Sequence, residues 1–196
     1  MIYRALERLF AAILIVIFLP LLGILYVVVR LDSKGPFLFL QLRAGKEGKP
    51  FWMYKIRTMG VKAESLKQKV KNLNEADGPV FKIKNDPRYT RIGKYLSRTA
   101  LDELPQLMNI LEGHMAFVGP RPLPLSEAQN IPKKYRCRFS VLPGMTSEWV
   151  VQGAHELPFK RWMELDCNYA KKRSIMNDIS ILQRTVFVVM GMIFRK

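Results

Sequence analysis

Two adjacent carboxylates, Asp102 and Glu103, are the residues of this chain that could do chemistry on a charged substrate. Apolar residues at helical spacing follow them to Leu111. The sequence therefore predicts a helix that begins at Thr99, with a capping box between Thr99 and Asp102. Acids in a first helical turn are common, because they complement free N–H groups and the helix dipole. Capping is the ordinary interpretation, and the surroundings must decide whether these acids also have a function.

The composition favours an anionic partner. The 196-residue chain, long enough for one domain with a core, carries 32 Lys and Arg against 16 Asp and Glu, and 49% of its residues are apolar. Its net charge of +16 suits a protein that meets lipid and phosphate groups. The charge would also suit a nucleic-acid binder, but the sequence has no helix-turn-helix, zinc-finger or RNP-like pattern. A bound anion or a membrane surface is the better prediction.

Histidines and cysteines are few, which limits metal and disulfide chemistry. The chain has two histidines, and this argues against a histidine metal cluster. Cys137 and Cys167 lie thirty residues apart, without C-x-x-C or zinc spacing. We therefore predict reduced thiols in a cytosolic environment rather than a disulfide framework.

Residues 9–29 form an uninterrupted apolar run without a charge. As a straight helix the run would extend about 31 Å, the thickness of a bilayer's hydrocarbon core, so a transmembrane helix is one interpretation. Pro20 lies in its middle, cannot donate a hydrogen bond to the carbonyl of Val16, and should kink the helix. Because cations flank both ends, a hairpin that enters one leaflet and returns is the alternative.

Basic residues recur before and after the two acids. Residues 37–42 and 51–57 predict a β-hairpin, with Lys55 and Arg57 on one side of its second strand. These two cations indicate either a solvated edge or a site for phosphate or a lipid head group. Further on, Arg121 lies between two prolines in a rigid turn, which would present its guanidinium to a phosphate at little entropic cost. Gly113 is placed to end the helix after the acids.

Several strings of residues, in order and from about residue 4 to residue 192, resemble those of the bacterial sugar transferases known as monotopic phosphoglycosyl transferases. One such string would be weak evidence, but the ordered set is specific. The strings are Gln41-Leu42-Arg43-Ala44-Gly45, Lys55-Ile56-Arg57-Thr58-Met59, Phe81-Lys82-Ile83-Lys84-Asn85-Asp86-Pro87-Arg88, Leu101-Asp102-Glu103-Leu104-Pro105-Gln106-Leu107, Val118-Gly119-Pro120-Arg121-Pro122 and Pro143-Gly144-Met145-Thr146.

The resemblance implies an enzyme that moves a sugar 1-phosphate from a nucleotide diphosphate sugar, expected to be a UDP-sugar, to polyprenyl phosphate. A nucleoside monophosphate is released, and the product starts glycoconjugate or polysaccharide assembly. The resemblance makes Asp102 the nucleophile that forms an aspartyl-phosphosugar, and gives Glu103, together with Asp102, a Mg²⁺ site. Because an anionic carboxylate must attack an anionic diphosphate, cations are needed nearby. The expected phosphate-binding residues are Arg98, Arg121, Lys55 and Arg57.

The resemblance also implies an architecture. It predicts an α+β fold, mainly α, in which residues 1–32 form a re-entrant helix-break-helix with the break at Pro20. Residues 33–196 would form a catalytic domain with a small β-hairpin and interfacial helices, on the cytoplasmic face of the bacterial inner membrane. Residues 179–194 are expected to be one such interfacial helix, with a buried core helix as the alternative. Membrane lipid is an expected partner and nucleic acid is not; homo-oligomers and downstream glycosyltransferases are open as partners.

Several positions depart from the family pattern. Ser97 and Ala154 stand where the family usually has arginine, and His114 stands where it has aspartate. These changes leave Asp102 intact but affect the recognition of the donor. A non-catalytic, membrane-anchored relative that binds nucleotide sugars or partner enzymes is therefore an alternative function, and a membrane-tethered nucleic-acid binder, which rests on charge alone, is a second one.

Overall fold

A computed structural model describes residues 2–194, and it confirms an α+β fold that is mainly helical. Two small two-stranded sheets lie among the helices. The helices are α1 (Ile2–Asp32), α2 (Arg91–Arg98), α3 (Gln106–Glu112), α4 (Leu125–Ala128), α5 (Glu148–Val151), α6 (Phe159–Lys172) and α7 (Ile175–Phe194). The strands are β1 (Leu38–Ala44), β2 (Pro50–Ile56), β3 (Ala116–Val118) and β4 (Gly144–Thr146).

Helix α1 is one helical run with Pro20 inside it, so the predicted helix-break-helix is not seen as an interruption. Proline removes one backbone hydrogen bond, and packing on both sides of it holds the helix together. Phe18, before the proline, and Leu21 and Leu22, after it, all pack against a buried cluster of the protein. Within residues 2–194, α1 is the one helix that is long and apolar enough to cross a membrane.

Both ends of α1 contact the same folded body. Near the first end, the Tyr3 hydroxyl donates to the Asp178 carboxylate at 2.8 Å. Towards the other end, Leu25 and Val29 are buried in a cluster that also contains Ile56. Between these anchors the outward side of α1 is apolar and exposed, and includes Leu6, Leu9, Ile13, Val16, Ile17, Leu19, Ile24 and Val27. The helix therefore lies along the body rather than projecting from it.

The predicted hairpin is confirmed as the antiparallel pair β1 and β2, with Leu38 opposite Ile56 and Ala44 opposite Pro50. Alternation along β2 buries Phe51 and Met53 in the core cluster that α1 and α3 also line. Lys55, two residues beyond Met53, comes from the same face of the strand. The hairpin thus carries this lysine to the edge of the core.

A second, parallel pair joins β3 to β4, with Ala116 opposite Gly144. The strands approach so closely after β3 that a Cβ atom on Gly144 would lie 2.0 Å from the backbone nitrogen of Gly119. Only glycine fits there. This close crossing places the turn that contains Arg121 directly after a buried strand.

The helix that follows the acids begins later than predicted, but it ends where predicted. Thr99 does not begin the helix that follows the acids but ends α2, where its hydroxyl donates to the Tyr95 carbonyl, so the capping box is wrong. The helix α3 begins only at Gln106 and ends before Gly113, as predicted for its end.

Helix α7 buries Ile181 but exposes apolar residues such as Phe187, which gives it one core face and one open face. Its position at a membrane interface stays a prediction.

The prediction of two free thiols is also wrong. Cys137 and Cys167 form a disulfide, with their Cα atoms 5.4 Å apart. The fold lays the 3-10 segment Lys133–Ser140 against α6, which brings together two cysteines that are far apart in sequence. Spacing along the chain carries no information about that tertiary contact.

Candidate active site

Asp102 and Glu103 lie in the one-turn 3-10 helix Leu101–Glu103, between α2 and α3. Leu104, directly after this turn, is buried in the cluster below α1, so the turn is anchored from that side. Ala100, which precedes the turn, has a left-handed backbone with φ 56°. A non-glycine residue pays about 1–2 kcal/mol for that conformation. Such strain is typical of functional sites, and here it turns the chain between α2 and the acids.

Two cations hold the carboxylate of Glu103. The ammonium of Lys55 lies 2.7 Å from Glu103 Oε1 and 3.6 Å from Asp102 Oδ2. The guanidinium of Arg121 approaches the same Glu103 oxygen, with Nη2 at 3.3 Å. The structure therefore brings together four of the residues singled out in the sequence, from the hairpin, the acidic turn and the proline turn.

These surroundings push the pKa values of the two acids apart. Burial is the largest influence on Glu103 and would raise its pKa, but the charges and hydrogen bonds of Lys55 and Arg121 together outweigh it and lower that pKa to about 2. Burial also raises the pKa of Asp102, against the attraction of Lys55, and the neighbouring charge of Glu103 raises it further. The pair thus consists of a firmly ionised carboxylate beside one whose protonation is sensitive to its neighbours.

Asn109 on α3 sets the distance between the hairpin and the acids. It is fully buried, and its amide accepts from the Tyr54 N–H at 3.0 Å and donates to the Trp52 carbonyl at 2.7 Å. These two bonds fix β2 against α3 immediately before Lys55. Nothing in the sequence indicated that Asn109 bonds the hairpin.

Arg43 and Lys82 also belong to the surroundings of Arg121, and the sequence gave them no role. Arg43 lines the same cleft as Lys55, Glu103 and Arg121; burial, helped by the charge of Arg121, lowers its pKa to about 10. Burial likewise lowers the pKa of Lys82 to about 7, and Arg121 again contributes. Arg43 could have been found from its place at the end of an apolar strand. Lys82 lies outside regular secondary structure, where the sequence has no periodicity to place it.

The other two predicted phosphate residues lie elsewhere. Arg57 is 5% exposed and donates to the backbone carbonyls of Ser33, Lys34 and Pro36. It therefore fixes the segment that follows α1 against the end of the hairpin. Arg98 is the exposed last residue of α2. Among the described residues, no ion pair joins either of them to Asp102 or Glu103, so their role in binding phosphate stays a prediction.

The acidic pair fits one mode of Mg²⁺ binding. Within the described part of the chain, no group of three Asp, Glu, His or Cys side chains could form a complete protein cage for a metal. Mg²⁺, however, is commonly held by one or two carboxylates, with substrate phosphates and water as its other ligands. Asp102 and Glu103 offer that number of carboxylates next to cations suited to phosphate. The residues present therefore fit a magnesium ion that arrives with a diphosphate.

Comparison with known proteins places this fold and site in a family. A model of the family described as bacterial sugar transferase matches residues 1–192, and the chain belongs to that family. It is 39% identical to the galactosyl transferase CpsE of Streptococcus agalactiae over 163 residues. These aligned residues cover 83% of this chain and 36% of the relative. The resemblance read from the motifs is confirmed.

Two further relatives have names that state an activity. The chain is 37% identical to the undecaprenyl-phosphate galactose phosphotransferase of Salmonella typhimurium, over 90% of this chain and 38% of the relative. It is 35% identical to the UDP-glucose:undecaprenyl-phosphate glucose-1-phosphate transferase of Caulobacter vibrioides, over 93% of this chain and 67% of the relative. The chain spans about two fifths of the length of several of its curated relatives.

Proposed function

We propose that this protein transfers a sugar 1-phosphate from a UDP-sugar to polyprenyl phosphate and releases UMP, which starts the assembly of a glycoconjugate or polysaccharide. The observation that carries the proposal is the acidic pair Asp102 and Glu103 beside Lys55 and Arg121. Membership of the bacterial sugar transferase family and relatives named for this transfer support it.

The reaction has two displacements at one phosphorus atom. The Asp102 carboxylate attacks the phosphorus that carries the sugar, the bond to the neighbouring phosphate of UDP breaks, and UMP leaves with that bridging oxygen. An oxygen of polyprenyl phosphate then attacks the same phosphorus and frees Asp102. A covalent intermediate lets the water-soluble donor product leave before the lipid acceptor arrives.

Charge neutralisation is the main task of the surrounding residues. Attack of one anion on another is opposed by repulsion, which fixed cations reduce without reorganisation at the moment of reaction. Lys55 and Arg121 lie next to the acids and would bind the diphosphate oxygens of the donor. Mg²⁺ held by Asp102 and Glu103 would supply further neutralisation of the diphosphate. Glu103, whose pKa is about 2, is ionised at neutral pH and ready for that role.

The apolar outer side of α1 would hold the protein at the cytoplasmic face of the membrane. Because both ends of α1 contact one folded body, a re-entrant or surface-lying path fits the geometry better than a span across the bilayer. A site at the membrane surface would receive a donor from water and an acceptor from lipid.

The nucleophile is tested with Asp102→Asn and a radiolabelled UDP-sugar. We expect this variant to lose both UMP release and the covalent adduct, because the amide cannot attack phosphorus. Glu47→Gln, which changes a carboxylate in the exposed hairpin turn, is the matched control and should keep both. An Asp102→Asn protein that retains the adduct would disprove the assignment. Binding of UDP-sugar by the unaltered protein without UMP release, across a panel of donors, would instead support the non-catalytic alternative.

A further inference from the structure

A buried ion pair lies behind the proline turn that carries Arg121. Arg138, on the 3-10 segment Lys133–Ser140, and Asp166, on α6, each have side chains that are 1% exposed. Two guanidinium nitrogens of Arg138 donate to Asp166 Oδ2, Nε at 3.0 Å and Nη2 at 2.7 Å. A buried pair is costly to desolvate, and apolar residues of the same size are often as stable or more so. Stability alone therefore does not account for this pair.

The proline turn is held by three donors from separate parts of the chain. The carbonyl of Pro120 accepts from the Gly144 N–H at 3.0 Å, and that of Pro122 accepts from Arg43 Nη1 at 2.9 Å. The carbonyl between them, that of Arg121, accepts from Arg138 Nη2 at 2.8 Å. Since neither proline has an N–H group with which to form a hydrogen bond inside the turn, these three donations from outside fix its backbone.

The side chain of Arg121 is held more loosely than its backbone. Its guanidinium carbon lies 5.7 Å from the centre of the Trp149 ring, and Nη2 is 3.3 Å from Glu103 Oε1, a long hydrogen bond. The side chain is 29% exposed, so its guanidinium is accessible to an incoming phosphate. Its position relative to Glu103 therefore follows from the position of its backbone.

We propose that Arg138, oriented by Asp166, is a positioning residue that fixes the Arg121 backbone so that the Arg121 guanidinium meets the donor diphosphate beside Glu103. This rests on the proposed function, in which Arg121 binds phosphate. Arg138 touches no substrate and acts through Arg121 alone. A displacement of about 1 Å in such a group costs on the order of 100-fold in rate.

The test replaces both members of the pair, as Arg138→Met with Asp166→Leu, so that no unpaired charge remains buried. We expect the double variant to fold and its kcat/KM for the UDP-sugar to fall by about 10- to 100-fold, the worth of one hydrogen bond to a charged group. Arg121→Ala should show a loss of similar size. Combining all three changes should be no worse than Arg121→Ala, because the pair acts only through that arginine. A further loss in the triple variant would overturn the proposal.

The disulfide offers a matched control, because it joins the same two elements. Cys137 precedes Arg138 in the chain and Cys167 follows Asp166, yet neither is a partner of the Arg121 carbonyl. Cys137→Ser with Cys167→Ser should loosen the segment and α6 while kcat/KM stays within about twofold of the unaltered protein. An equal loss in the serine variant would mean that general loosening, not positioning, explains the effect.

A second measurement needs no substrate. Hydrogen exchange in residues 119–123 should be faster in the Met and Leu double variant than in the serine variant. Unchanged exchange there would overturn the anchoring whether or not transfer is observed.

If the unaltered protein transfers sugar phosphate and Arg121→Ala is impaired, but the double variant is fully active, then the positioning role fails while the proposed function stands. An unimpaired Arg121→Ala would instead refute the phosphate role of Arg121.

Discussion

At the scale of single residues, Asp102 and Glu103 have the same chemistry and different surroundings. Lys55 and Arg121 both contact Glu103, whereas Asp102 has only the longer contact to Lys55. Burial raises the pKa of Asp102 and the neighbouring charge of Glu103 raises it further, whereas Lys55 and Arg121 together lower the pKa of Glu103 to about 2. Two adjacent carboxylates can then divide the work, one as a permanent anion and one as the reacting group.

This division predicts opposite pH shifts for two variants. In the proposed reaction Asp102 attacks as a carboxylate, so activity should fall as the pH drops through its raised pKa. Glu103→Gln removes a neighbouring negative charge, which lowers the pKa of Asp102 and should move the acid limb of kcat/KM to lower pH. Lys55→Met removes the opposing cation, which raises that pKa and should move the limb to higher pH. The pH profile of the residual activity measures both shifts.

The exposed Glu47→Gln variant serves as the control and should leave the acid limb in place. Shifts of the same sign in Glu103→Gln and Lys55→Met would contradict the electrostatic account, because removing an anion and removing a cation must act oppositely on a neighbouring carboxyl group.

At the scale of elements, the hairpin packs on α3 through core side chains, and the buried amide of Asn109 adds two hydrogen bonds to the backbone next to Lys55. Asn109 satisfies a backbone N–H and a backbone carbonyl of β2, and so links α3 to the strand that carries Lys55. A buried polar group that loses its partner costs more than the bond itself is worth. The contact between the two elements is therefore sensitive to this single side chain.

Asn109→Ala is expected to lower the free energy of unfolding by about 1–3 kcal/mol, since two partly buried backbone groups of β2 lose their partner. Urea unfolding measures the change. Asn130→Ala is the control, because its amide bonds only the exposed Ser126 carbonyl and should cost less than about 0.5 kcal/mol. Equal losses in the two variants would show that Asn109 is not the link that we describe.

Several elements were predictable from the sequence because their signals are local. The hairpin follows from two apolar runs around a glycine-rich turn, and the end of α3 follows from Gly113, whose φ is 84°. The start of α3 was misplaced because Thr99 serves as a cap for the preceding helix instead. Threonine is typical of a helix N-cap, so its residue type gave no indication that it ends α2.

The site was predictable only in part, because its assembly depends on tertiary contacts. Lys55 was selected for its place on a strand as a phosphate-binding residue, and the structure places its ammonium 2.7 Å from Glu103 Oε1. Arg57 was grouped with it by strand alternation, but β2 ends at Ile56 and the arginine turns towards α1. Arg138 carried no signal at all, since its partners lie 17 and 28 residues away.

At the scale of the whole molecule, the distribution of charge and apolar surface suits association with a membrane. The body carries most of a net charge of +16, while the outer side of α1 is apolar along its length. Basic residues are attracted to anionic head groups, and apolar side chains partition into the acyl region. The two effects act together on this protein.

A single charge on the outer side of α1 should weaken that association. Val16 is 71% exposed near the middle of α1, and Val16→Asp should cost about 2.5–3.5 kcal/mol of membrane affinity, or about 100-fold. Flotation with vesicles that contain phosphatidylglycerol measures it. Val61→Asp is the control, because Val61 is 67% exposed in a polar segment and should change little. If the two variants float alike, α1 is not the membrane contact.

The packing of α1 also determines how the protein can be handled. Ala11, Leu25 and Val29 are core residues, buried against side chains from the hairpin and from α2 and α3. A shortened version that begins at residue 33, made to avoid detergent, would therefore expose two open hydrophobic clusters to water and would aggregate. Solubility must be sought by changing the outward residues of α1 while its inward residues are kept.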